Sequence, residues 1–293
     1  MNQDLPQFDR QDAEPLYPKV LYSRPVTRAA GGRILIVGGH TGEFAVPTAV
    51  YQLSAAAGAG ECHVTLPAGL AKIVGDVPGI AYVAASPSGS LGSESLGRIL
   101  QLAEDADAVS LGASLSANSH TAILTERLLA EVTVPMIIYG DALVTIMRQP
   151  QLVTDRRDRL LLLTMTEAFK LCAKLEVSVR FTGGGLINKL EAVRALANAT
   201  SCDLAVCDGD IITAAGGRLS VTKTPGLESL PAAYWSVLGV FWTQNATRRA
   251  EGLVTGAWLL GRVAEDLASN DIKPSVTTVT ASITRLLAAA EDF

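Results

Sequence analysis

Short runs of aliphatic and β-branched residues alternate along this chain with longer stretches of helical periodicity. That alternation is the strongest constraint on what it can fold into. Strands buried on both faces read as continuous apolar runs, and a helix between two of them lets them lie parallel. The runs at 33–37, 63–66, 80–84, 108–111, 136–139, 160–163, 178–182 and 204–207 are predicted strands. Helical periodicity marks 45–57, 93–104, 119–131, 142–147, 166–174 and 187–198. A hairpin is expected at 211–221, with Gly216-Gly217 at its turn. After Pro225 the pattern gives three helices, at 231–244, 246–268 and 276–291. The expected class is α/β, a three-layer sandwich with about eight or nine mostly parallel strands and helices on both faces. Residues 1–25 are expected as an N-terminal arm and 26–293 as a single domain, because no repeat or low-complexity linker divides the chain.

Composition removes several classes of function. The 293 residues are 48% hydrophobic and 18% charged, which excludes an intrinsically disordered chain. Aromatic residues are only 5%, so Ala, Val, Leu and Ile must fill the core. A net charge of −5 lacks the basic footprint that a nucleic-acid partner requires. Mean hydropathy is +0.29, yet no apolar run approaches the ~20 residues of a spanning helix. The opening MNQDLPQFDRQDAEP is acidic and lacks the basic start and apolar stretch of a secretory signal. Cys62, Cys172, Cys202 and Cys207 form no CxxC pair and read as free thiols of a reducing compartment. The expectation is a cytoplasmic protein that engages neither membrane nor nucleic acid.

The polar candidates each carry two readings. Gly38-Gly39-His40-Thr41-Gly42 follows a strand, so its glycines allow close backbone approach to a phosphate, or simply make a strand-to-helix turn. His40 is a ligand donor or acid/base group near neutral pH, or an exposed loop residue. Asp141 stands at a strand's carboxyl end, where open α/β sheets place ligand groups; alternatively it caps the helix beginning at Ala142. Gly183-Gly184-Gly185 is an anion nest or a flexible turn. Asp208 and Asp210, flanking Gly209, suit Mg2+ or a plain Asp-Gly turn. Trp235 and Trp242, seven apart, share a helix face, which together with Trp258 reads as core or subunit interface. Glu265-Asp266 reads as a solvated face.

Three segments carry a family resemblance. GGRILIVGGHTGEFAVPTAVYQLSAAAGAGECHVTLP (residues 31–67) is similar to an opening of the form G-R-V-L-V-I-G-G-S-x-G-x-T-G-A, an Ala-rich helix and G-A-G-x-V-T. Gly32, Arg33, Gly38, Gly39, Gly42, Gly58, Ala59, Gly60 and Thr65 fall in step. DAVSLGASLSANSHT (107–121) resembles D-A-V-x-I-G-P-G-L-G, and VPMIIYGDAL (134–143) resembles V-P-x-V-L-D-A-D-A-L. These are segments of the NAD(P)H-hydrate dehydratases, ribokinase-like lyases that repair hydrated nicotinamide cofactors using ATP or ADP. The resemblance implies a ribokinase-like sandwich, a nicotinamide-hydrate ligand (NADH, NADPH or their hydrates), ATP or ADP with Mg2+, and a homo-oligomer. It implies substrate contacts from Gly39, His40, Gly42, Val46, Ser116 and Asp141.

The family's remaining motifs are altered. T-P-H-P-G-E meets LTMTEAFKL, so its His falls on Thr166 and its Glu on Glu167. K-G-A-G-T meets CDGD, retaining Gly209 but putting Asp208 where a Lys is expected, which repels the anion a Lys would attract. The nucleotide-site segment T-A-G-S-G-D meets TPGLESLPAAYWSVLG (224–239), which keeps Gly226. Its Gly pair becomes Leu230, Pro231 and Ala232, and its catalytic Asp lands on Ala232 or Tyr234. No carboxylate occurs between Glu228 and Glu251, so Asp141 and Glu228 are the catalytic acids left to consider. The chain reads as a dehydratase-like protein whose catalytic motif is absent. The alternatives are a degenerate ligand-binding or scaffold protein, and a small-molecule kinase. Self-association is expected on the face carrying Trp235, Trp242 and Trp258, or else those rings belong to the monomer core.

Overall fold

The structure, a computed structural model, describes residues 6–179 and 185–290. Ten strands form one sheet: β1 (Asp9–Gln11), β2 (Arg33–Gly38), β3 (Glu61–Pro67), β4 (Ile80–Val83), β5 (Ala108–Ala113), β6 (Met136–Ile138), β7 (Arg159–Leu163), β8 (Asp203–Asp208), β9 (Asp210–Ala215) and β10 (Arg218–Lys223). Their order is β1-β10-β9-β8-β7-β6-β5-β2-β3-β4. Among the described residues β9 alone runs against the others. The helices are α1 (Pro18–Tyr22), α2 (Ala45–Ala56), α3 (Ala71–Val74), α4 (Leu96–Glu104), α5 (Ser119–Glu131), α6 (Ala142–Arg148), α7 (Met165–Lys174), α8 (Leu186–Thr200), α9 (Pro231–Gln244), α10 (Arg249–Ser269) and α11 (Val276–Ala289).

Alternate strand residues face opposite layers. In β2, Ile34 and Ile36 join the core beneath α2, α9, α10 and α11, while Leu35 and Val37 join the core beneath α4 to α8. Because both faces are covered, β5 is buried at every position. That is why it reads as an unbroken apolar run rather than an alternating one. Local chemistry sets several helix starts. The Asn118 side chain accepts the Thr121 amide to cap α5, and Pro231, which has no N–H to strand, opens α9. The expected α/β sandwich is the fold found, with ten strands rather than eight or nine.

Three expectations need correction or reassignment. Ser178 and Val179 lie outside any strand, since the Val177 amide returns to the Cys172 carbonyl and wraps the end of α7; the rest of 178–182 lies outside the described residues. Residues 9–11, within the segment expected as an arm, pair parallel with β10. Gln11 is buried there, its Nε2 donating to Thr222 Oγ1 at 3.0 Å and to the Val254 carbonyl at 2.9 Å. The tryptophans do not make an exposed face. Trp242 is fully buried and donates to Asp203, Trp235 stacks on Tyr139, and Trp258 donates to the Ala13 carbonyl. Among the described residues no helix is long and apolar enough to cross a membrane.

Candidate functional site

The strand order reverses between β2 and β5: the chain leaves β2 toward β3 and β4, then returns to β5 on the other side. Loops leaving such neighbours diverge and open a crevice at the strands' carboxyl ends. Here the two strands also close on each other. Their register shifts at Val37/Gly38, and the Gly39 amide reaches the carbonyls of Ala113 (2.8 Å) and Ser114 (3.2 Å). A Cβ on Gly38 would lie 2.1 Å from the Ala113 oxygen, and one on Gly112 would lie 1.8 Å from the Tyr139 oxygen. Only glycine permits that approach.

The loop after β2 is tied down by its own backbone. His40 and Glu43 exchange two amide–carbonyl bonds of 2.9 Å, and the Thr41 amide donates to the Gly89 carbonyl. The Gly42 amide donates to His40 Nδ1 at 3.1 Å, which leaves the neutral ring's proton on Nε2. His40 is therefore held in place, and Gly39 is buried. Val46, expected as a substrate contact, is partly buried and packs against the core.

Asp141 does not cap α6: its side chain makes no cap bond. Burial raises its pKa above the ordinary carboxylate value, while the Leu115 amide and the His40 imidazole favour the charged form. The carboxylate is thus poised between loops from β2, β5 and β6. With Ser116, Asn118, Thr145 and Arg148 it lines a cleft of about 280 Å³.

A group of residues not singled out in the sequence joins this cleft. The hydroxyls of Ser86, Ser88 and Ser90 lie 2.8 to 3.1 Å apart. Asn118 Nδ2 reaches Ser90 (2.6 Å), Ser116 (2.9 Å) and Ser88 (3.3 Å), linking the loops after β4 and β5. The signal was present as the run SPSGS (86–90), which also has the composition of an ordinary turn.

The second half of the same edge is built differently. Glu167 belongs to a capping box: its carboxylate accepts from the Thr164 amide (2.7 Å) and hydroxyl (2.8 Å). That T-x-x-E spacing is a sequence-level signature of a helix start. Thr166 is exposed on the first turn of α7 and joins none of these clusters. Asp208 and Asp210 pair across the left-handed Gly209 turn between β8 and β9, so the expected Asp-Gly turn is present. With Lys189 they line a pocket of only about 120 Å³. Among the described residues no group of three or more His, Cys, Asp or Glu converges to hold a metal ion.

Tyr234 occupies the first turn of α9. It is buried, and its hydroxyl bonds Thr224 Oγ1 at 3.1 Å, while the Thr224 amide bonds the Gly209 carbonyl at 3.0 Å. Burial raises the Tyr234 pKa further above its already basic ordinary value, so the group stays a phenol and is no general base. Gly226 is left-handed and exposed, and Glu228 is exposed beside it. Glu228 feels Tyr234 electrostatically but is not joined to Asp141. Gly185, the one described residue of the triple glycine, is the N-cap residue of α8, its carbonyl accepting from the Asn188 and Lys189 amides; Gly183-Gly184 lie outside the described residues. The four cysteines are free, and burial pushes the Cys62 and Cys202 thiols up to about 12. Asp266, expected as solvated, bonds Ser282 and Arg285 instead.

Comparison with known proteins agrees with this geometry at the level of architecture. No family model matches the chain. A bifunctional NAD(P)H-hydrate repair enzyme of Methanothermobacter thermautotrophicus is 31% identical over 119 residues, which is 40% of this chain. The chain spans only 23% of that relative's length. A ribokinase-like superfamily protein of Enterococcus faecalis superposes with a TM-score of 0.73 at 15% identity, covering 99% of both chains. The ADP/ATP-dependent NAD(P)H-hydrate dehydratase of Bacillus subtilis, co-crystallised with ATP and Mg2+, gives 0.63 at 14% identity, covering 95% of this chain and 99% of its own. The chain has the ribokinase-like fold, with its crevice at the same carboxyl edge that its strand order opens between β2 and β5.

Proposed function

We propose that this chain is a small-molecule-binding protein on a ribokinase-like scaffold. Its ligand is a hydroxylated compound of the hydrated-nicotinamide type, held at the crevice by His40, Ser116, Asn118 and Asp141. It transfers no phosphoryl group. One observation carries the reading: Tyr234, which with Ala232 is one of the two positions the resemblance assigns to the family's catalytic Asp, is buried and bonded to Thr224. The nearest carboxylate along the chain, Glu228, is exposed.

ATP and Mg2+ do not fit the residues present. Asp208 puts a negative charge where phosphates would lie, and Pro231 supplies no N–H to an anion at the start of α9. The same features argue against the small-molecule kinase reading, which needs that base and anion hole. The crevice side retains its chemistry. A carboxyl group whose pKa is raised by burial can share a proton with a ligand hydroxyl, and His40 Nε2–H can donate to a ligand oxygen.

A second reading, turnover of NAD(P)H hydrates, draws on the 119-residue match to the archaeal repair enzyme. Thermal-shift titration with ATP, ADP, NADH, NADPH and hydrated NADH separates the two. Binding to the native state alone raises the unfolding midpoint. Hydrated NADH is expected to raise it, ATP and ADP are not, and hydrated NADH incubated with ATP is expected to persist. An adenine-nucleotide shift accompanied by recovery of NADH overturns the binding-protein reading in favour of the dehydratase. Self-association into a homo-oligomer in a cytoplasmic setting belongs to the same proposal. A scattering mass near 30.7 kDa overturns that part.

A further inference from the structure

The opposite edge of the sheet carries a second concavity. At the amino ends of β7, β8 and β10 lies a cleft of about 610 Å³, rimmed by Arg157, Arg194 and Arg218, with Asn198 and Asp203 in its wall. That volume lies within the range typical of small-molecule sites. The helical repeat explains the wall on one side: Arg194, Asn198 and Ser201, spaced four and three apart, project from one face of α8 and its C-terminal cap. The hairpin turn at Gly216-Gly217 forms another side.

The charges in this cleft are not all answered. Arg218 is paired with Asp9 at 2.7 Å. Arg157 and Arg194 are exposed and make no ion pair among the described residues. The one carboxylate in the wall, Asp203, is turned to other partners. It accepts the Trp242 indole at 2.8 Å; burial raises its pKa above the ordinary carboxylate value, while that indole, the Arg249 guanidinium and the Gly216 amide favour the charged form. Both guanidinium groups line the same concavity. Their planar forks match phosphate oxygens, and each can donate two parallel bonds.

We infer that this amino-edge cleft is a binding site for a small molecule bearing a diphosphate. The site is separate from the crevice at the carboxyl edge and does not depend on the function proposed there. Arg157 and Arg194 hold the two phosphates, and Asn198 and Ser201 offer hydrogen bonds to the rest of the ligand.

Calorimetric titration with inorganic pyrophosphate at low salt tests it. The wild-type chain is expected to bind, and Arg157→Ala and Arg194→Ala each to weaken binding about tenfold or more, the loss of one charge-assisted contact. Neither arginine carries a native contact whose removal would unfold the chain, and circular dichroism of both variants is expected to match wild type. Lys72→Ala, which removes a positive charge on α3 at the far side of the sheet, is expected to bind as wild type does. The inference is overturned by absence of binding heat at millimolar pyrophosphate. It is equally overturned by arginine variants that bind unchanged, or by a loss in Lys72→Ala equal to theirs, which would mark diffuse charge attraction.

Discussion

Two groups of loops share the carboxyl edge of the sheet and are made of opposite materials. Those after β2, β4, β5 and β6 gather polar side chains that face one another and solvent: His40, the Ser86–Ser88–Ser90 hydroxyls, Asn118 and Asp141. Those after β8 and β10 leave the carboxylates of Asp208 and Glu228 exposed but turn their hydroxyls inward. Tyr234 closes on Thr224, and Thr224 on Gly209. The first group leaves its polar web open at the crevice, and the second uses its hydroxyls to pack the start of α9. One sheet edge can thus hold both an open polar cluster and a packed one, according to which partners the loops meet.

The largest expected effect lies in the packed half. Trp242→Ala removes a fully buried ring and its bond to Asp203, at a cost of about 3–5 kcal/mol, read as a lower urea midpoint. A loss below about 1 kcal/mol would mean that α9 is not a packing element and would break the contrast. Next comes Asn118→Ala in the open half. It deletes the α5 cap and the donor that joins three serines, with an expected loss of about 1–2 kcal/mol and weaker binding at the crevice. Tyr234→Phe should cost about 1 kcal/mol, one hydrogen bond, and leave crevice binding untouched. A gain of ATP affinity in that variant would show that the hydroxyl, rather than the filled space, excludes the nucleotide.

The smallest effect is also the sharpest. Burial raises the Asp141 pKa, so the native state ionises later than the unfolded chain. Its contribution is fully present below the ordinary value of 3.8 and is lost as pH rises through the higher native pKa. Asp141→Asn should therefore flatten the dependence of the urea midpoint on pH in that window and change little below it. An unaltered profile would mean that the carboxyl is solvated as in the unfolded chain.

Most of the layering was legible because burial on both faces leaves an unbroken apolar signature, as in β5. The boundaries of α5 and α9 were legible for local reasons, an Asn cap and a proline at the first turn. What escaped depends on distant partners. The three residues of β1, Asp-Arg-Gln, have no strand-like pattern and become a strand only because β10 offers an open edge. Helical spacing put Trp235 and Trp242 on one face but carried no information about whether that face meets solvent or sheet. The site was legible in its loops and not in its web: Asn118 and Ser90 are 28 positions apart, and nothing local announces that their loops meet. Asp141 was legible as a choice between cap and ligand group, and the absent cap bond removes the first of these.

The placement of β1 has a consequence for handling the protein. The outer edge of β10 is closed by a strand some two hundred positions earlier in the chain, anchored by the buried Gln11. Stripping those residues leaves the sheet's layers intact but bares a row of unpaired amides and carbonyls, a template for other chains. A form shortened past Gln11 should therefore fold and then cluster, losing material to insoluble aggregates in proportion to its concentration rather than to temperature.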